Sequence, residues 1–265
     1  MQAFACDLDR TLIAEDAVLG ERTRAAITAA LEAGVHVLVV TGRMFRSVRP
    51  YLAAAGLDEP VVCYQGGGVV DPVSGRWLLH EPIPLELARE VIVAVEAEGF
   101  PLNCYVDDEL YVAKHTAESE RYANFQKLNV QEVGNLLDWL DVPPTKLVAV
   151  GDPLELDALE ERLVAYFGER LYITKSLPFF LEFASPEVTK GSGLRFLAEH
   201  LGFSLEQTVA FGDGENDIPL LETAGYAVAV ENAHERLLAV ADFVCPPASD
   251  EGVAQVIEAY LHSAA

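Results

Sequence analysis

Apolar runs of strand length alternate with helix-length stretches from the start of this chain, and that alternation limits what it can fold into. Gln2 to Cys6 reads as a buried strand. Glu21 to Ala33 reads as a helix that stops at Gly34, the residue type favoured just past a helix end. Val35 to Val40 is a β-branched run and predicts a second strand. Phe45 to Ala55 is a second helix, stopped by Gly56, and Val61 to Tyr64 is a third strand. Continuous apolar strands in βαβαβ order predict a parallel sheet covered on both faces.

The middle of the chain breaks that rhythm. Leu85 to Glu98 is amphipathic at helical spacing. Leu102 to Val106 and Leu110 to Ala113 flank Asp107-Asp108-Glu109, a tight hairpin signal. Lys146 to Val150 reads as a strand, and a helix follows from about Leu154 to Phe167. Leu171 to Thr174 and Phe179 to Phe183 flank a turn around Ser176 and Pro178. Strands joined by short turns predict an antiparallel sheet with helices on one face. After Pro186 the alternation returns: helix at Gly191 to His200, strand at Thr208 to Phe211, short helix at Ile218 to Ala224, strand at Tyr226 to Val230, closing helix at Asp250 to Leu261. The expected organisation is an α/β core from residues 1–81 and 186–265, with a second α+β domain inserted at 82–185. A chain of 265 residues is long enough for two such units.

Chemistry-bearing residues gather where the core strands end. Asp7 and Asp9 follow the first strand two residues apart, so an extended chain points both the same way. Two acids on one face of an apolar strand repel each other and resist burial, and a metal cation relieves the repulsion. A helix cap or a turn also accounts for such a pair taken alone. Thr41-Gly42-Arg43 brings a hydroxyl, a glycine N–H and a cation to one turn, which suits a phosphate. A plain strand-to-helix turn with Thr41 as cap is the alternative. Lys190 starts a helix, where its charge opposes the macrodipole; that points mildly to an anionic partner, and otherwise to a solvated lysine. Gly212-Asp213-Gly214-Glu215-Asn216-Asp217 concentrates oxygen donors of the kind Mg²⁺ takes, or else is a solvated acidic loop. In an open parallel sheet, sites form beyond the carboxyl ends of the strands. Asp7/Asp9, Thr41–Arg43 and Asp213–Asp217 all fall there.

Charge excludes some partners. The formal net charge is −24, from 42 acids against 18 bases. Such a surface repels nucleic-acid backbones and anionic lipid, so neither nucleic acid nor membrane is expected. An anionic substrate needs a local cation to enter this field. The cysteines at 6, 63, 104 and 245 form no C-x-x-C pair and are expected as buried free thiols. No basic leader precedes the first strand, and the apolar stretches are too short to span a bilayer, so a reducing, cytoplasmic setting is expected.

Asp7-Leu8-Asp9-Arg10-Thr11-Leu12, Thr41-Gly42-Arg43, Lys190 and Gly212 to Asp217 resemble, in order, the four motifs of the haloacid dehalogenase superfamily. The likeness is to the Cof-type phosphatases, whose cap is inserted between the second and third motifs, the interval that holds 82–185. Ala229 to Ala233, Ala241-Asp242 and Glu251-Gly252-Val253 agree with it as well. The resemblance implies a Rossmann-like core and a Mg²⁺-dependent phosphatase acting on a small phosphorylated metabolite. It implies Asp7 as the nucleophile that becomes an aspartyl-phosphate. Asp9 is implied as the group that protonates the leaving oxygen and then activates water. Thr41, the Gly42 N–H and Lys190 would hold the phosphoryl oxygens, with Arg43 and Asn216 beside them. The implied Mg²⁺ ligands are Asp7, Asp9 through its backbone carbonyl, Asp213 and Asp217. Asn216 and Asp217 could also hold phosphate, metal waters or Lys190. Two positions depart from the family's pattern: Arg10 stands where glycine is usual, and Gln65-Gly66-Gly67 where Asn-Gly-Ala is common. Arg10 could favour anions, and Gln65 could alter contacts near the cap hinge. A phosphomutase of the same superfamily and a non-catalytic phosphate sensor are the alternatives. The expected partner is a small phosphorylated molecule, and the expected state a monomer or weak homodimer. Aromatic residues of the middle segment, Tyr105, Tyr111, Tyr122, Phe179 and Phe180, are expected mostly in its core, while Glu182 and Arg43 could face the pocket.

Overall fold

The structure is a computed structural model that describes residues 1–14, 18–126 and 128–264. The chain opens with β1 (Ala3–Cys6), α1 (Glu21–Glu32), β2 (His36–Val39), α2 (Phe45–Ala55), β3 (Val61–Cys63), β4 (Gly68–Val70) and β5 (Trp77–His80). Next come α3 (Leu85–Ala97), β6 (Leu102–Val106), β7 (Glu109–Val112), α4 (Ala117–Gln126), β8 (Val130–Glu132), α5 (Leu136–Trp139), β9 (Lys146–Val150), α6 (Pro153–Phe167), β10 (Tyr172–Leu177) and β11 (Phe180–Ala184). It closes with α7 (Lys190–Leu201), β12 (Thr208–Gly212), α8 (Ile218–Thr223), β13 (Tyr226–Val230), α9 (Glu235–Leu238), β14 (Phe243–Cys245) and α10 (Gly252–Ala264).

The parallel sheet runs β14-β13-β12-β1-β2. β1 sits between β2, which follows it in sequence, and β12, which lies about two hundred residues on. The strand order therefore reverses at β1, and a crevice opens there beyond the strand ends. Alternating residues of β1 feed two cores. Phe4 and Cys6 pack on the α1, α2 and α10 side, while Ala3 and Ala5 pack with Leu194, Leu197 and Leu220 on the α7 and α8 side. This two-sided burial explains why the strand is apolar at every position.

The third predicted strand departs from expectation. β3 touches the parallel sheet through a single bridge, Val40 to Val62, and otherwise heads a three-stranded antiparallel sheet with β4 and β5. Tyr64, Gln65 and Gly66 all take positive φ (55°, 62° and 111°), which ends the strand at Cys63 and turns the chain back on itself. The glycine at 66 is required: a Cβ there would lie 2.1 Å from the Thr189 carbonyl oxygen. That contact accounts for the first glycine of the 66–68 run.

The second sheet runs β10-β11-β9-β6-β7-β8, antiparallel except for the β7–β8 pair. Asp107 and Asp108 adopt positive φ (51° and 57°) in the β6–β7 hairpin, the mirror-type turn that suits a two-residue loop. One face of this sheet packs on α3, α5 and α6 through residues such as Val91, Leu136 and Leu159. From the opposite face Tyr105, Val148 and Phe180 join the cluster that contains Tyr51 and Tyr64. α4 covers part of that second face, with Tyr122 edge-on to Tyr105 and Phe180. Helices therefore lie on both faces, where sequence reading placed them on one. Tyr105, Tyr122 and Phe180 are buried, while Phe179 is exposed. All four cysteines are buried and free. Among the described residues no helix is long and apolar enough to cross a membrane.

Candidate active site

Three adjacent strand ends build the site. Asp7 follows β1 and donates its N–H to the Phe211 carbonyl of β12 at 3.0 Å, so the carboxylate leaves the sheet at the reversal point. The chain then coils tightly, with the Leu12 and Ile13 N–H groups both donating to the Leu8 carbonyl (3.0 and 2.9 Å). Arg10 sits in that coil at φ 61°. This conformation costs a non-glycine residue about 1 kcal/mol, which is the physical reason glycine suits the position.

The segment after β2 is fixed from both sides. Thr41 N–H donates to Val62 O at 2.9 Å, and Gln65 N–H donates to Thr41 O at 3.1 Å. The Arg43 N–H donates to Thr41 Oγ1 at 3.1 Å, and Thr41 is buried. Arg43 lines the cavity, as expected, and its guanidinium is engaged there by protein groups. Its guanidinium grips Asp9 through Nε (2.7 Å) and Nη2 (2.5 Å), and Nη1 donates to Ser47 Oγ at 3.0 Å. Burial disfavours this cation, but the Asp9 carboxylate outweighs that and holds it more firmly charged.

Lys190 is the first residue of α7. Thr189 caps the helix by accepting from Ser192 N–H (3.0 Å), while Ser192 Oγ accepts from Thr189 N–H (2.9 Å). This reciprocal cap sets the direction in which Lys190 leaves the helix. Its ammonium is buried and lies 2.5 Å from both Asp7 Oδ1 and Asp217 Oδ1. The other oxygen of Asp217 accepts from the N–H groups of Asp213 and Gly214, each at 3.0 Å. The loop after β12 thus folds back over its own strand. Gly212 permits this, since a Cβ there would lie 2.5 Å from that of Asp217.

Asp7, Asp213 and Asp217 each bring a carboxylate oxygen within 4.8 Å of the others, and all three are buried. Asp9 does not share this cluster; its carboxylate is committed to Arg43. Burial, then the Asp217 and Asp213 charges, push the Asp7 carboxyl well above the usual range, against the pull of Lys190. Burial and Asp217 likewise raise Asp213 to about 7, against Arg10 and Lys190. At Lys190 burial works the other way, but Asp217 and Asp7 prevail and keep the ammonium charged. Three carboxylates and one ammonium leave a net charge of −2 in a buried space. Arg10 offsets part of it from the rim, 3.2 Å from Asp213 Oδ2. A divalent cation with a taste for oxygen fits this donor set, as it supplies the missing charge and keeps the acids ionised.

The second sheet closes the crevice. Ser176, Leu177, Phe180 and Glu182 face Asp7, Asp9 and Thr41 across a cavity of about 40 Å³. Gln65 spans the gap: its Oε1 accepts from Asn216 Nδ2 at 3.1 Å, and its Nε2 donates to Glu182 Oε2 at 3.0 Å. Glu182 also accepts from Lys146 Nζ at 3.1 Å and from Ser176 Oγ. Tyr64 donates to Asp108 Oδ1 at 2.6 Å, and the same carboxylate accepts from the Arg46 N–H at 2.9 Å. Sequence reading overlooked Lys146, Tyr64 and Asp108. A signal for Lys146 and Glu182 was present: each places a charge on an otherwise apolar strand, at a position whose i+2 neighbours are buried.

The family model for haloacid dehalogenase-like hydrolases matches residues 4–257. The phosphoglycolate phosphatase of Methanothermobacter thermautotrophicus is 29% identical over 98% of this chain and 99% of its own. The pyridoxal phosphate phosphatase YbhA of Escherichia coli is 28% identical over 98% of both chains. Among solved structures, TM0651 from Thermotoga maritima superposes with a TM-score of 0.83 at 33% identity, covering 97% of this chain and 96% of that one.

Proposed function

The chain belongs to the haloacid dehalogenase-like hydrolases, and from that premise we propose that it is a Mg²⁺-dependent phosphatase acting on a small phosphorylated metabolite. In this reading residues 82–185 form a cap over a core of 1–81 and 186–265. The observation that carries it is Asp7 at the strand reversal, 2.5 Å from a buried lysine and beside two further buried carboxylates. Phosphatase names among the relatives agree with it.

Asp7 attacks phosphorus through a carboxylate oxygen, forming an aspartyl-phosphate as the bond to the leaving oxygen breaks. Asp9 gives that oxygen a proton, which it takes up once substrate entry releases its carboxylate from Arg43. Water then attacks the phosphorus of the acyl phosphate, and Asp9 takes the proton back. Free phosphate leaves and Asp7 returns as a carboxylate. Thr41 and the Gly42 N–H hold the phosphoryl oxygens, while Lys190 balances charge beside Asp7. Asp7, Asp213 and the Asp9 carbonyl would hold the cation, which neutralises charge on the transferring group. Asp217 serves it indirectly, since its oxygens already bind Lys190 and two backbone amides. On the cavity's scale one water needs ~10–15 Å³. The 40 Å³ space therefore suits a phosphoryl group, and a leaving group enters by cap movement.

The test is phosphate release from a panel of phosphorylated sugars, nucleotides and cofactors, with and without EDTA. Metal-dependent release is expected; turnover indifferent to EDTA, or none across the panel, overturns the reading. A pH dependence follows. Cation binding must displace the proton that Asp213 carries below about 7. Calorimetric titration should show Mg²⁺ affinity weakening as pH falls below that value, by about tenfold per pH unit for each proton displaced, with Asp7 adding to the loss. The metal-free protein should behave in the opposite sense. Because the folded state holds the Asp213 proton more tightly than the unfolded chain, stability falls as pH rises from the ordinary carboxylate range to about 7. Melting in EDTA between pH 5.5 and 8 checks this. Arg10 bears on the same equilibrium. Its pair with Asp213 is partly exposed and modest in energy. Arg10→Gln removes a competing cation and keeps the backbone cost, so Mg²⁺ should bind about two- to fivefold tighter.

A further inference from the structure

Lys146 takes no part in the chemistry proposed above, yet it is buried to 2% exposure. It opens β9 on the cap side, and its ammonium crosses to the core, where it donates to the Gly42 carbonyl at 2.7 Å. The same ammonium lies 3.1 Å from Glu182 Oε2, 5.2 Å from the Tyr105 ring centre and 5.9 Å from that of Tyr64. Burying an ammonium is costly unless it is paired and hydrogen-bonded. Glu182 answers the charge from within the cap. The bond to Gly42 does something else, because it is made across the gap to the segment that holds phosphate.

The Gly42 carbonyl and the Arg43 N–H belong to one planar peptide unit, so fixing one fixes the other. That N–H donates to Thr41 Oγ1 at 3.1 Å. A hydroxyl that accepts from the backbone behind it has its own proton free to donate elsewhere. Thr41 lines the cavity with Asp7. We propose that Lys146 is a positioning residue: with the cap closed it locks the Gly42–Arg43 peptide and thereby aims the Thr41 hydroxyl at the transferring phosphoryl group. Opening the cap breaks the Lys146 bond and frees that peptide. Cap closure and assembly of the phosphoryl site become one event. The inference rests on the phosphatase reading.

Lys146→Met alone would strand the Glu182 carboxylate. The test variant is therefore Lys146→Met with Glu182→Gln, whose amide can accept from Gln65 and donate to Ser176. Turnover of the best phosphomonoester in the panel and inhibition by inorganic phosphate are measured in six proteins: wild type, Glu182→Gln, this pair, Thr41→Val, Thr41→Val with Glu182→Gln, and the triple variant. Glu182→Gln alone serves as the reference, and thermal melting confirms folding. The pair should lower kcat about tenfold and weaken inorganic phosphate about tenfold relative to Glu182→Gln. In the Thr41→Val background the same change should cost less than about twofold, because the group it acts through is gone. Losses that persist undiminished in that background overturn the coupling while leaving the phosphatase reading intact. A wild-type protein that neither turns over a phosphomonoester nor binds inorganic phosphate overturns both.

Discussion

Asp7→Asn should reduce turnover by about 10⁴-fold or more while the protein keeps its fold. The amide occupies the same volume and can still meet Lys190 through its oxygen, so packing at the strand reversal is preserved. What disappears is the oxygen nucleophile, and no neighbour replaces it: Asp9 is held by Arg43, and Asp217 by Lys190 and two amides. The stability outcome separates this explanation from simple damage. Burial and three carboxylate neighbours, Asp217, Asp213 and Asp9, already raise Asp7 well above the usual range, so the folded state bears a cost whenever Asp7 is ionised. Asparagine removes that cost. Melting in EDTA at neutral pH should therefore be unchanged or higher in the variant, and Mg²⁺ binding weaker. Incubation with substrate should label wild type on Asp7 transiently and the variant not at all. Full activity in Asp7→Asn would end the nucleophile assignment.

The core was legible because its signals are local and repeated. A strand buried on both faces must be apolar throughout, and β1 is, so both the strand and the abrupt arrival of Asp7 after it could be read directly. The same holds for the loop after β12, whose glycine and acids announce a tight polar turn. The β3–β5 sheet was harder to see. Whether Val61 to Cys63 joins a parallel or an antiparallel partner depends on three consecutive positive φ angles, and neither Tyr64 nor Gln65 advertises that conformation. Partnerships across the cavity were hidden for a different reason. Gln65, Asn216 and Glu182 are separated by more than a hundred residues in places, and no periodicity relates them. Arg43 shows the limit most clearly. Residue type suggested a phosphate ligand, whereas its geometry commits it to Asp9 and Ser47. A charged side chain names a kind of partner, and only the fold decides which one.

Lys190→Met should be the most destabilising single change at the site. Methionine matches the stem of lysine in length and flexibility, so the loss is that of the charge. In wild type the ammonium sits 2.5 Å from Asp7 and 2.5 Å from Asp217, with all three groups buried. Taking away one partner of a buried ion pair leaves an uncompensated charge and costs about 3–5 kcal/mol. For a chain of this size that corresponds to a fall of about 6–20 °C in melting temperature. Turnover should fall about 10²–10³-fold as well, since a positive group beside the nucleophile is lost. The pH dependence tests the cause. Lys190 opposes the upward push on Asp7, so its removal raises that carboxyl further. The folded variant then binds a proton that the unfolded chain does not hold at the same pH, and its stability declines as pH rises toward neutrality. The deficit relative to wild type should grow as pH rises through the range in which wild-type Asp7 gives up its proton and the variant still keeps its own, and Mg²⁺ should recover part of it by restoring positive charge. A deficit that is constant with pH and indifferent to Mg²⁺ would mean that Lys190 matters for its packing and not for its charge, and the electrostatic account of the site would have to be abandoned.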